Sequence, residues 1–316
     1  MTDLVVVVVG PTAAGKTTLG ASLAEKLGGE VVSADAFAVY RGLDIGTAKP
    51  GRDELDRVPH HLIDIADPRE RYSAGTFLRD ADAAIVSIRR RGRVPVVVGG
   101  TLFYVRALLW GLFPEPARDL DLRRDLEEAW ARDPEECRRR LAVLDPAAAV
   151  RLSPGDRQRI LRTLEVATLT GRPMTELWHE HPRRQARYRF VMLGLRPPRA
   201  ELHARIATRT EGMFAAGLLA EVEGLLADGV PTGAHALKAI GYRECCRVLE
   251  GAWSLETAVN EAAAATRRLA KRQMTWLRGE GGVEWLGEGG DAGLAQALAR
   301  VEADGGTDAG QVQDQR

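Results

Sequence analysis

A glycine motif near the start of the chain has the residue types of a phosphate-binding loop. It fits the pattern G-x-x-x-x-G-K-[ST], follows an apolar run at residues 4–9, and consists of Gly10, Pro11, Thr12, Ala13, Ala14, Gly15, Lys16 and Thr17. In such a loop the backbone N–H groups curl around phosphate oxygens, and the helix that follows adds the positive end of its dipole. The Lys16 ammonium would neutralise phosphate charge, and the Thr17 hydroxyl would bind Mg²⁺. The motif predicts a site for a diphosphate or triphosphate.

Two polar residues follow apolar runs that we predict to be strands of the same sheet. Asp35 comes after residues 30–34, and Thr101 comes after residues 94–98 and two glycines. Because the carboxyl ends of parallel strands share one edge of a sheet, both side chains should face the phosphate loop. An ordinary ATPase or GTPase would place a Mg²⁺-binding carboxylate after such a strand, and residues 99–101 contain none. A base, a hydroxyl and a phosphate cradle in one crevice favour group transfer, although each residue alone fits a helix cap equally well.

Strands that alternate with helices are predicted over the first part of the chain. Apolar runs at 4–9, 30–34, 61–65 and 94–98 are typical of strands, and residues 17–27 and 73–91 have helical spacing. Residues 121–180 are predicted to be almost entirely helical, a strand returns at 188–195, and helices to 278 precede a last strand at 283–286. This order indicates an α/β fold with a parallel sheet covered by helices. We assign 1–113 and 188–288 to the α/β domain, 114–187 to an inserted all-helical domain, and 289–316 to an acidic, glycine-rich, partly disordered tail.

Composition and charge limit the class of protein. The 316 residues are 45% hydrophobic, and no apolar run approaches the roughly 20 residues of a membrane span. No secretory leader is visible and the three cysteines have neither disulfide nor zinc spacing, so we expect a cytoplasmic protein with buried or half-buried free thiols. The net charge of zero hides an asymmetry, since residues 279–316 hold eight acids and two bases whereas 267–278 hold five bases and no acid. Such basic stretches can bind nucleic-acid phosphates.

Six sequence blocks resemble the tRNA dimethylallyltransferase family in order and spacing. Within about residues 4–288 they are the phosphate loop, GLDIGTAKP at 42–50, VGGT at 98–101, QRILRTLE at 158–165, GYRE at 241–244 and KRQMTWLR at 271–278. The resemblance implies a P-loop NTPase-like fold and transfer of a dimethylallyl group from dimethylallyl diphosphate to N6 of the adenosine 3′ of the anticodon, with release of diphosphate. It also implies Mg²⁺, the tRNA anticodon stem-loop as partner, and a monomer.

The same resemblance implies roles for individual residues. Asp35 would accept the proton of the adenine amine, Thr101 would help to hold the flipped-out base, and the phosphate loop would hold the prenyl diphosphate instead of ATP. An arginine of the helix after residues 188–195 clamps diphosphate in the family, which points to Arg209, with Arg205 one turn away as the rival. The implied tRNA contacts are Arg123, Gln158, Arg159, Arg162, Lys238, Tyr242, Arg243, Lys271, Arg272, Gln273 and Arg278.

One block departs from the family, and other functions stay open. Where the family often has D-S-x-Q-x-Y, this chain has DAFAVY at 35–40, so Ala36 and Ala38 are given no base-reading role. A P-loop kinase for a nucleotide or metabolite would share the loop and the fold. An isopentenyltransferase acting on free AMP or ATP would share the chemistry, and an RNA-binding ATPase switch would share the basic stretches. The helical insertion and the basic helix at 271–278 favour a tRNA substrate.

Overall fold

The computed structural model describes residues 3–112, 116, 119–180, 185–287 and 290–306. The chain divides into two compact units, one drawn from residues 1–109 and 186 onward and the other from 110–185. In its described residues the first unit is α/β and the second is helical. The predicted fold class is therefore confirmed, and the helical unit of the structure spans residues 110–185.

Six strands form one parallel sheet. They are β1 Leu4–Val9, β2 Glu30–Ser33, β3 His60–His61, β4 Pro95–Val98, β5 Arg189–Leu195 and β6 Val283–Leu286. Their order is β3-β2-β4-β1-β5-β6. Every residue of β1 is buried, as expected for a central strand of a parallel sheet with both faces covered. Val98 pairs with Val8 on one side and with Ser33 on the other, so β1, β2 and β4 end at the same edge of the sheet.

Fourteen α-helices lie in the described ranges. They are α1 Lys16–Lys26, α2 Arg52–Arg57, α3 Ala74–Arg90, α4 Leu102–Trp110, α5 Leu120–Arg132, α6 Pro134–Leu144, α7 Pro146–Arg151, α8 Arg157–Thr170, α9 Met174–Glu180, α10 Arg199–Ala215, α11 Leu218–Ala227, α12 Tyr242–Leu249, α13 Leu255–Arg278 and α14 Gly290–Gly306. A short 3₁₀ helix at Ala236–Lys238 precedes α12. Ser73 begins α3 as predicted, because its side chain accepts a hydrogen bond from the N–H of Thr76.

α14 lies in the segment that we predict to be a partly disordered tail. Residues 290–306 are helical, and Ala297 and Val301 are completely buried in the core formed with β1 and α1. Leu294 and Leu298 pack against the same core. These four residues recur at helical spacing, which makes an apolar stripe inside a glycine- and aspartate-rich composition. Part of the sheet is therefore covered by a helix that composition alone does not predict.

The strand predicted at 61–65 is also shorter than expected. β3 ends at His61, because Leu62 and Asp64 have positive φ angles of 65° and 57°, which extended backbone does not tolerate. The Asp64 carboxylate in this turn pairs with the Lys49 ammonium of the 42–50 block. The turn therefore contacts a block that lines the site described below.

The helical unit comprises α5–α9 and is organised by aspartate caps. Asp119, Asp133, Asp145 and Asp156 each accept a backbone N–H from the first turn of α5, α6, α7 and α8, which satisfies donors that a helix cannot satisfy itself. The unit has its own hydrophobic core, made by Leu126, Cys137, Leu141, Ala148, Ile160, Leu161 and Leu164. The helical unit is therefore compact in its own right.

The cysteines and the helix lengths agree with the expectations from composition. Cys137, Cys245 and Cys246 are all free and buried. Burial raises the pKa of the Cys245 thiol to about 12, which makes it a weak nucleophile. Within the described ranges, every helix is too short or too polar to cross a membrane.

Candidate functional site

The phosphate loop joins β1 to α1 in a conformation that its glycines allow. Gly15 precedes α1 with a φ of 90°, a left-handed conformation that favours glycine. Among the described residues no side chain caps the start of α1, so its first N–H groups can bind an anion. The half-buried Lys16 donates a hydrogen bond from Nζ to the Pro11 carbonyl at 2.8 Å, which holds the ammonium against the loop. The loop is a preformed cradle for phosphate oxygens.

Three charged groups act on one another beside this loop. The pKa of Lys16 is lowered to about 8, first by burial and then by the positive charge of Arg209, while the Asp35 carboxylate opposes the shift. Burial also lowers the pKa of Arg209, again against Asp35. Two partly desolvated cations this close together are stabilised when an anion arrives. The rival Arg205 is exposed and pairs with Glu201 on its own helix.

Asp35 and Thr101 lie together at the edge where β2 and β4 end. Asp35 Oδ1 accepts hydrogen bonds from the N–H groups of Phe37 at 2.8 Å and Ala38 at 3.1 Å. Thr101 Oγ1 accepts one from the N–H of Ala36 at 3.0 Å. Asp35 therefore caps the turn that follows it through Oδ1 alone. Oδ2 accepts no hydrogen bond from the described residues, so this oxygen can act as a base. Thr101 keeps its hydroxyl hydrogen for a ligand.

Two cavities of the α/β unit converge on Arg209 and Met213. The first, called the P-loop cavity, has a volume of about 940 Å³ and includes Lys16 and Thr17 in its lining. The second, called the Asp35 cavity, has a volume of about 510 Å³ and is lined by Asp35 and the loop residue Thr12. Both include Arg209 and Met213. A base in one cavity and a phosphate cradle in the other therefore flank one arginine.

The Asp35 cavity combines an apolar interior with cations. Its lining has hydrocarbon and aromatic side chains from Phe37, Ile206, Met213, Phe214, Leu218 and Leu269. It also has cationic side chains from Lys238, Arg243, Arg268 and Arg272. Sequence reasoning missed Phe37, Met213, Phe214 and Arg268. A signal was present for Met213, because it lies four residues after Arg209 and so on the same helix face.

The 42–50 block forms a wall of both cavities. Ile45, Ala48 and Lys49 line the P-loop cavity, and Gly46 and Thr47 line the Asp35 cavity. Lys49 anchors the block, because its buried ammonium donates to the Tyr40 carbonyl at 2.8 Å and pairs with two carboxylates, those of Asp44 and Asp64.

Tyr242 supports this wall and is corrected as a tRNA contact. Its side chain is completely buried, and its hydroxyl accepts from the N–H of Gly46 at 3.1 Å and donates to Glu221. A Cβ on Gly46 would lie 2.3 Å from the Tyr242 ring, so the glycine lets the ring approach. The tyrosine cannot reach RNA from this position, since its ring and its hydroxyl are both engaged inside the protein.

Gln273 is the second correction among the predicted tRNA contacts. The side chain is buried, and both atoms of its amide bind the protein interior: Oε1 accepts from the N–H of Thr12 and Nε2 donates to the carbonyl of Gly100. Its neighbours Lys271 and Arg272 are exposed, because consecutive helical residues point in different directions. The surface-exposed members of the predicted set are Gln158, Arg159, Lys238, Arg243, Lys271, Arg272 and Arg278.

Arg123 and Arg162 have an internal partner in the helical unit. Glu165 of α8 is completely buried, and its carboxylate lies 3.0 Å from Arg162 and 3.7 Å from Arg123. The Arg162 side chain is only 15% exposed and also donates to the Pro116 carbonyl at 3.0 Å. An RNA contact by either arginine must share the guanidinium with Glu165.

The P-loop cavity offers the Thr17 hydroxyl as a ligand for a hard cation. Among the described residues no group of three or more His, Cys, Asp or Glu could hold a metal ion by itself. Mg²⁺ commonly takes one or two protein oxygens and completes its shell with water and substrate phosphates. The exposed Thr17 hydroxyl beside the phosphate cradle fits that requirement.

Sequence and structure comparisons agree on one group of relatives. A family model described as IPP transferase matches residues 38–280, and one described as isopentenyl transferase matches residues 3–66. The tRNA dimethylallyltransferase of Anaeromyxobacter dehalogenans is 50% identical over 93% of this chain and 97% of its own. The tRNA dimethylallyltransferase of Halorhodospira halophila is 50% identical over 89% and 91%.

Two solved structures have the same architecture. The tRNA isopentenylpyrophosphate transferase of Bacillus halodurans has a TM-score of 0.72 and 37% identity, covering 96% of each chain. A eukaryotic dimethylallyltransferase described as acting on tRNA has a TM-score of 0.76 and 28% identity over 90% of this chain and 73% of its own. The similarity therefore covers both the α/β unit and the helical insertion.

Proposed function

The chain belongs to the IPP transferase family, and from that premise we propose that it is a tRNA dimethylallyltransferase. It transfers the dimethylallyl group of dimethylallyl diphosphate to N6 of the adenosine 3′ of the anticodon and releases diphosphate. The observation that carries the proposal is the convergence of Asp35, Lys16 and Arg209, whose charges act on one another where the two cavities meet. A base for the acceptor and cations for a departing diphosphate are needed together by a transfer reaction of this kind.

The acceptor half of the reaction uses Asp35 and Thr101. The exocyclic amine of adenine is a weak nucleophile, because its lone pair is delocalised into the ring. As N6 forms its bond to the first carbon of the prenyl group, Asp35 Oδ2 accepts the proton that N6 loses. The Asp35 carboxylate is oriented by the N–H groups that hold Oδ1. Thr101 donates its hydroxyl hydrogen to a ring nitrogen of the base, while the N–H of Ala36 holds Thr101 Oγ1 in place by a hydrogen bond.

The donor half uses the phosphate loop and Arg209. When the bond between the prenyl carbon and the diphosphate oxygen breaks, negative charge develops on that oxygen. Lys16, Arg209 and the N-terminal amides of α1 are placed to stabilise this charge. Mg²⁺ held by Thr17 would add a further positive charge at the diphosphate. The apolar side chains of Met213 and Phe214 suit the five-carbon group and exclude water from it.

The proposed tRNA-binding surface consists mainly of exposed cations. Lys238, Arg243 and Arg272 line the Asp35 cavity, and Lys271 and Arg278 are exposed on α13. In the helical unit Gln158 and Arg159 are exposed on α8. We assign these residues to the anticodon stem-loop, mainly as phosphate contacts. The enzyme acts as a monomer in the cytoplasm.

The test compares acceptors under one set of conditions. The protein is incubated with radiolabelled dimethylallyl diphosphate and Mg²⁺, together with an unmodified tRNA transcript, the same transcript with the target adenosine replaced by guanosine, or AMP. Label should enter only the first acceptor. Label in AMP would favour an isopentenyltransferase for free nucleotides. A parallel incubation with ATP in place of dimethylallyl diphosphate tests the kinase, which phosphate transfer to a small acceptor would favour.

A further inference from the structure

The buried amide of Gln273 joins two parts of the site that come from different strands. Oε1 accepts from the N–H of Thr12 at 2.9 Å, inside the phosphate loop that follows β1. Nε2 donates to the carbonyl of Gly100 at 2.8 Å, in the turn that follows β4. The orientation of the amide is fixed, because a backbone N–H can only donate and a carbonyl can only accept. One side chain of α13 therefore fastens the phosphate loop to the turn.

The fastened turn leads directly to the acceptor residues. Gly100 precedes Thr101, and Thr101 Oγ1 accepts from the N–H of Ala36, the residue after Asp35. A short path of bonds thus runs from the phosphate cradle through Gln273 and Gly100 to Thr101 and the Asp35 turn. Reacting groups that differ in position by about 1 Å can lose about 10²-fold in rate, so the relative position of cradle and base matters for transfer.

The space for this amide is provided by a missing side chain. A Cβ on Gly100 would lie 2.7 Å from Gln273 Nε2 but 3.5 Å from Lys16 Nζ, an ordinary contact. Gly100 does not have the left-handed φ that would exclude other residues, so the Gln273 amide is the obstacle to alanine at this position. Gly100 is therefore packed closely against both the Gln273 amide and the Lys16 ammonium.

We propose that Gln273 is a positioning residue of the transfer reaction, which sets the distance between the diphosphate cradle and the Thr101–Asp35 acceptor side. The proposal rests on the proposed function and deepens it. Gln273 touches neither substrate in this role. It acts through Thr12 and Gly100, so its loss should slow the chemical step more than it weakens either substrate.

The experiment measures single-turnover transfer to tRNA with both substrates saturating, at a temperature where every variant is folded. Gln273→Glu keeps the volume and the acceptor toward Thr12 but turns an oxygen toward the Gly100 carbonyl, and Gln273→Ala removes both bonds. Leu277→Ala, one turn further along α13 and also buried, is the control for lost stability. Both Gln273 variants should lose about 10² in rate, with dissociation constants for tRNA and dimethylallyl diphosphate within about threefold of wild type, whereas Leu277→Ala should keep its rate.

A double-mutant cycle tests the path through Gly100. Gly100→Ala alone should slow transfer because its methyl group displaces the amide, and in the Gln273→Ala background the same change should cost much less. Three results would each overturn the assignment. In the first, the rate losses of Gly100→Ala and Gln273→Ala multiply in the double variant. In the second, the Gln273 variants lose no more rate than Leu277→Ala, and in the third they lose only affinity for dimethylallyl diphosphate. If wild type itself transfers nothing to tRNA, the proposed function fails and the assignment falls with it. Active wild type with unaffected Gln273 variants removes the assignment alone.

Discussion

Two cations of the α/β unit differ from three arginines of the helical unit in their distance from a carboxylate. In the helical unit Arg138 lies 2.8 Å from Glu135, and Arg123 and Arg162 flank the buried Glu165. In the α/β unit Lys16 and Arg209 line cavities, and no carboxylate of the described residues lies within ion-pair distance of either one. These three arginines of the helical unit therefore have a carboxylate partner, whereas Lys16 and Arg209 of the α/β unit are left without a close counter-ion.

The difference shows that the environment of a cation indicates its function better than its place in a basic stretch. An arginine in a buried ion pair, such as Arg162 with Glu165, has already recovered part of the cost of its desolvation, so a ligand gains little from it. Lys16 and Arg209 are partly desolvated and repel each other, which raises the free energy of the empty site. An arriving diphosphate removes that cost. The five predictions that follow test this contrast, from the largest expected effect to the smallest.

Lys16→Ala should have the largest effect on turnover. The departing diphosphate loses the ammonium that the loop holds beside it, so kcat for transfer to tRNA should fall by about 10²–10³-fold. Lys26→Ala is the matched control, because Lys26 is exposed at the end of the same helix. A Lys16→Ala enzyme that keeps more than about a tenth of the wild-type kcat would mean that other groups carry the leaving-group charge.

Asp35→Asn separates the two tasks of Asp35. The asparagine carbonyl can still accept from the N–H groups of Phe37 and Ala38, but the amide that replaces Oδ2 cannot take a proton. We expect kcat to fall at least about 10²-fold. KM for tRNA and for the donor should stay within about threefold of wild type. Asp133→Asn, which changes a comparable cap in the helical unit, should be silent. Normal turnover of Asp35→Asn would leave Asp35 as a turn cap only.

Arg209→Ala and Arg205→Ala form a matched pair on one helix. Both arginines line the P-loop cavity, but Arg209 lies close enough to Lys16 to lower the pKa of that ammonium, whereas Arg205 is exposed and paired with Glu201. Arg209→Ala should lower kcat about 10²-fold. Arg205→Ala should stay within about threefold of wild type, because exposed pairs of this kind contribute little. The opposite ranking in steady-state kinetics would assign the diphosphate clamp to Arg205.

Arg162→Ala should act on stability. It removes the nearer cation from a completely buried carboxylate, which typically costs roughly 3–5 kcal/mol. Urea unfolding followed by circular dichroism measures the loss, with Arg138→Ala as the exposed control expected to stay within about 0.5 kcal/mol. Adding Glu165→Met to an Arg162→Met background should restore most of the stability, since no buried charge then lacks a partner. Unchanged stability of Arg162→Ala would show that Glu165 does not depend on Arg162.

The sequence predicted most of the parts of the site that depend on backbone topology. The phosphate loop follows from its motif, and Asp35 and Thr101 follow from the rule that parallel strands end at one edge. Side-chain direction within a helix is a different matter. Lys271, Arg272 and Gln273 are consecutive and polar, yet only Gln273 faces the interior, and which face docks depends on residues far away in the chain.

Composition gave no sign of α14, although a short pattern indicates it. The prediction of a partly disordered tail used the acidic, glycine-rich composition of residues 289–316, whereas the helical spacing of Leu294, Ala297, Leu298 and Val301 indicates a buried face. Glu165 shows the reverse case, since a carboxylate in a leucine-rich helix gives no sign of the two arginines that neutralise it. Such pairs form only when helices pack, so neither local propensity nor periodicity can reveal them.

Arg159→Ala should have the smallest effect, and its signature is salt dependence. Arg159 is 76% exposed, and its ion pair with Asp156 at 2.9 Å lies on the surface. Such a pair is worth roughly 0–1 kcal/mol, so the guanidinium can move to a phosphate at little cost. Each phosphate contact adds about 0.7–0.9 to the slope of log K against log salt, because binding releases condensed counter-ions. Arg159→Ala should therefore lower that slope by about one unit for tRNA, weaken binding a few-fold, and leave donor KM and unfolding unchanged. Arg138→Ala, which breaks a surface pair of the same spacing outside the predicted RNA residues, should leave the slope as it is. If both variants give the wild-type slope, Arg159 belongs with the neutralised arginines of the helical unit, and the RNA-binding surface must be sought among the exposed cations of the α/β unit.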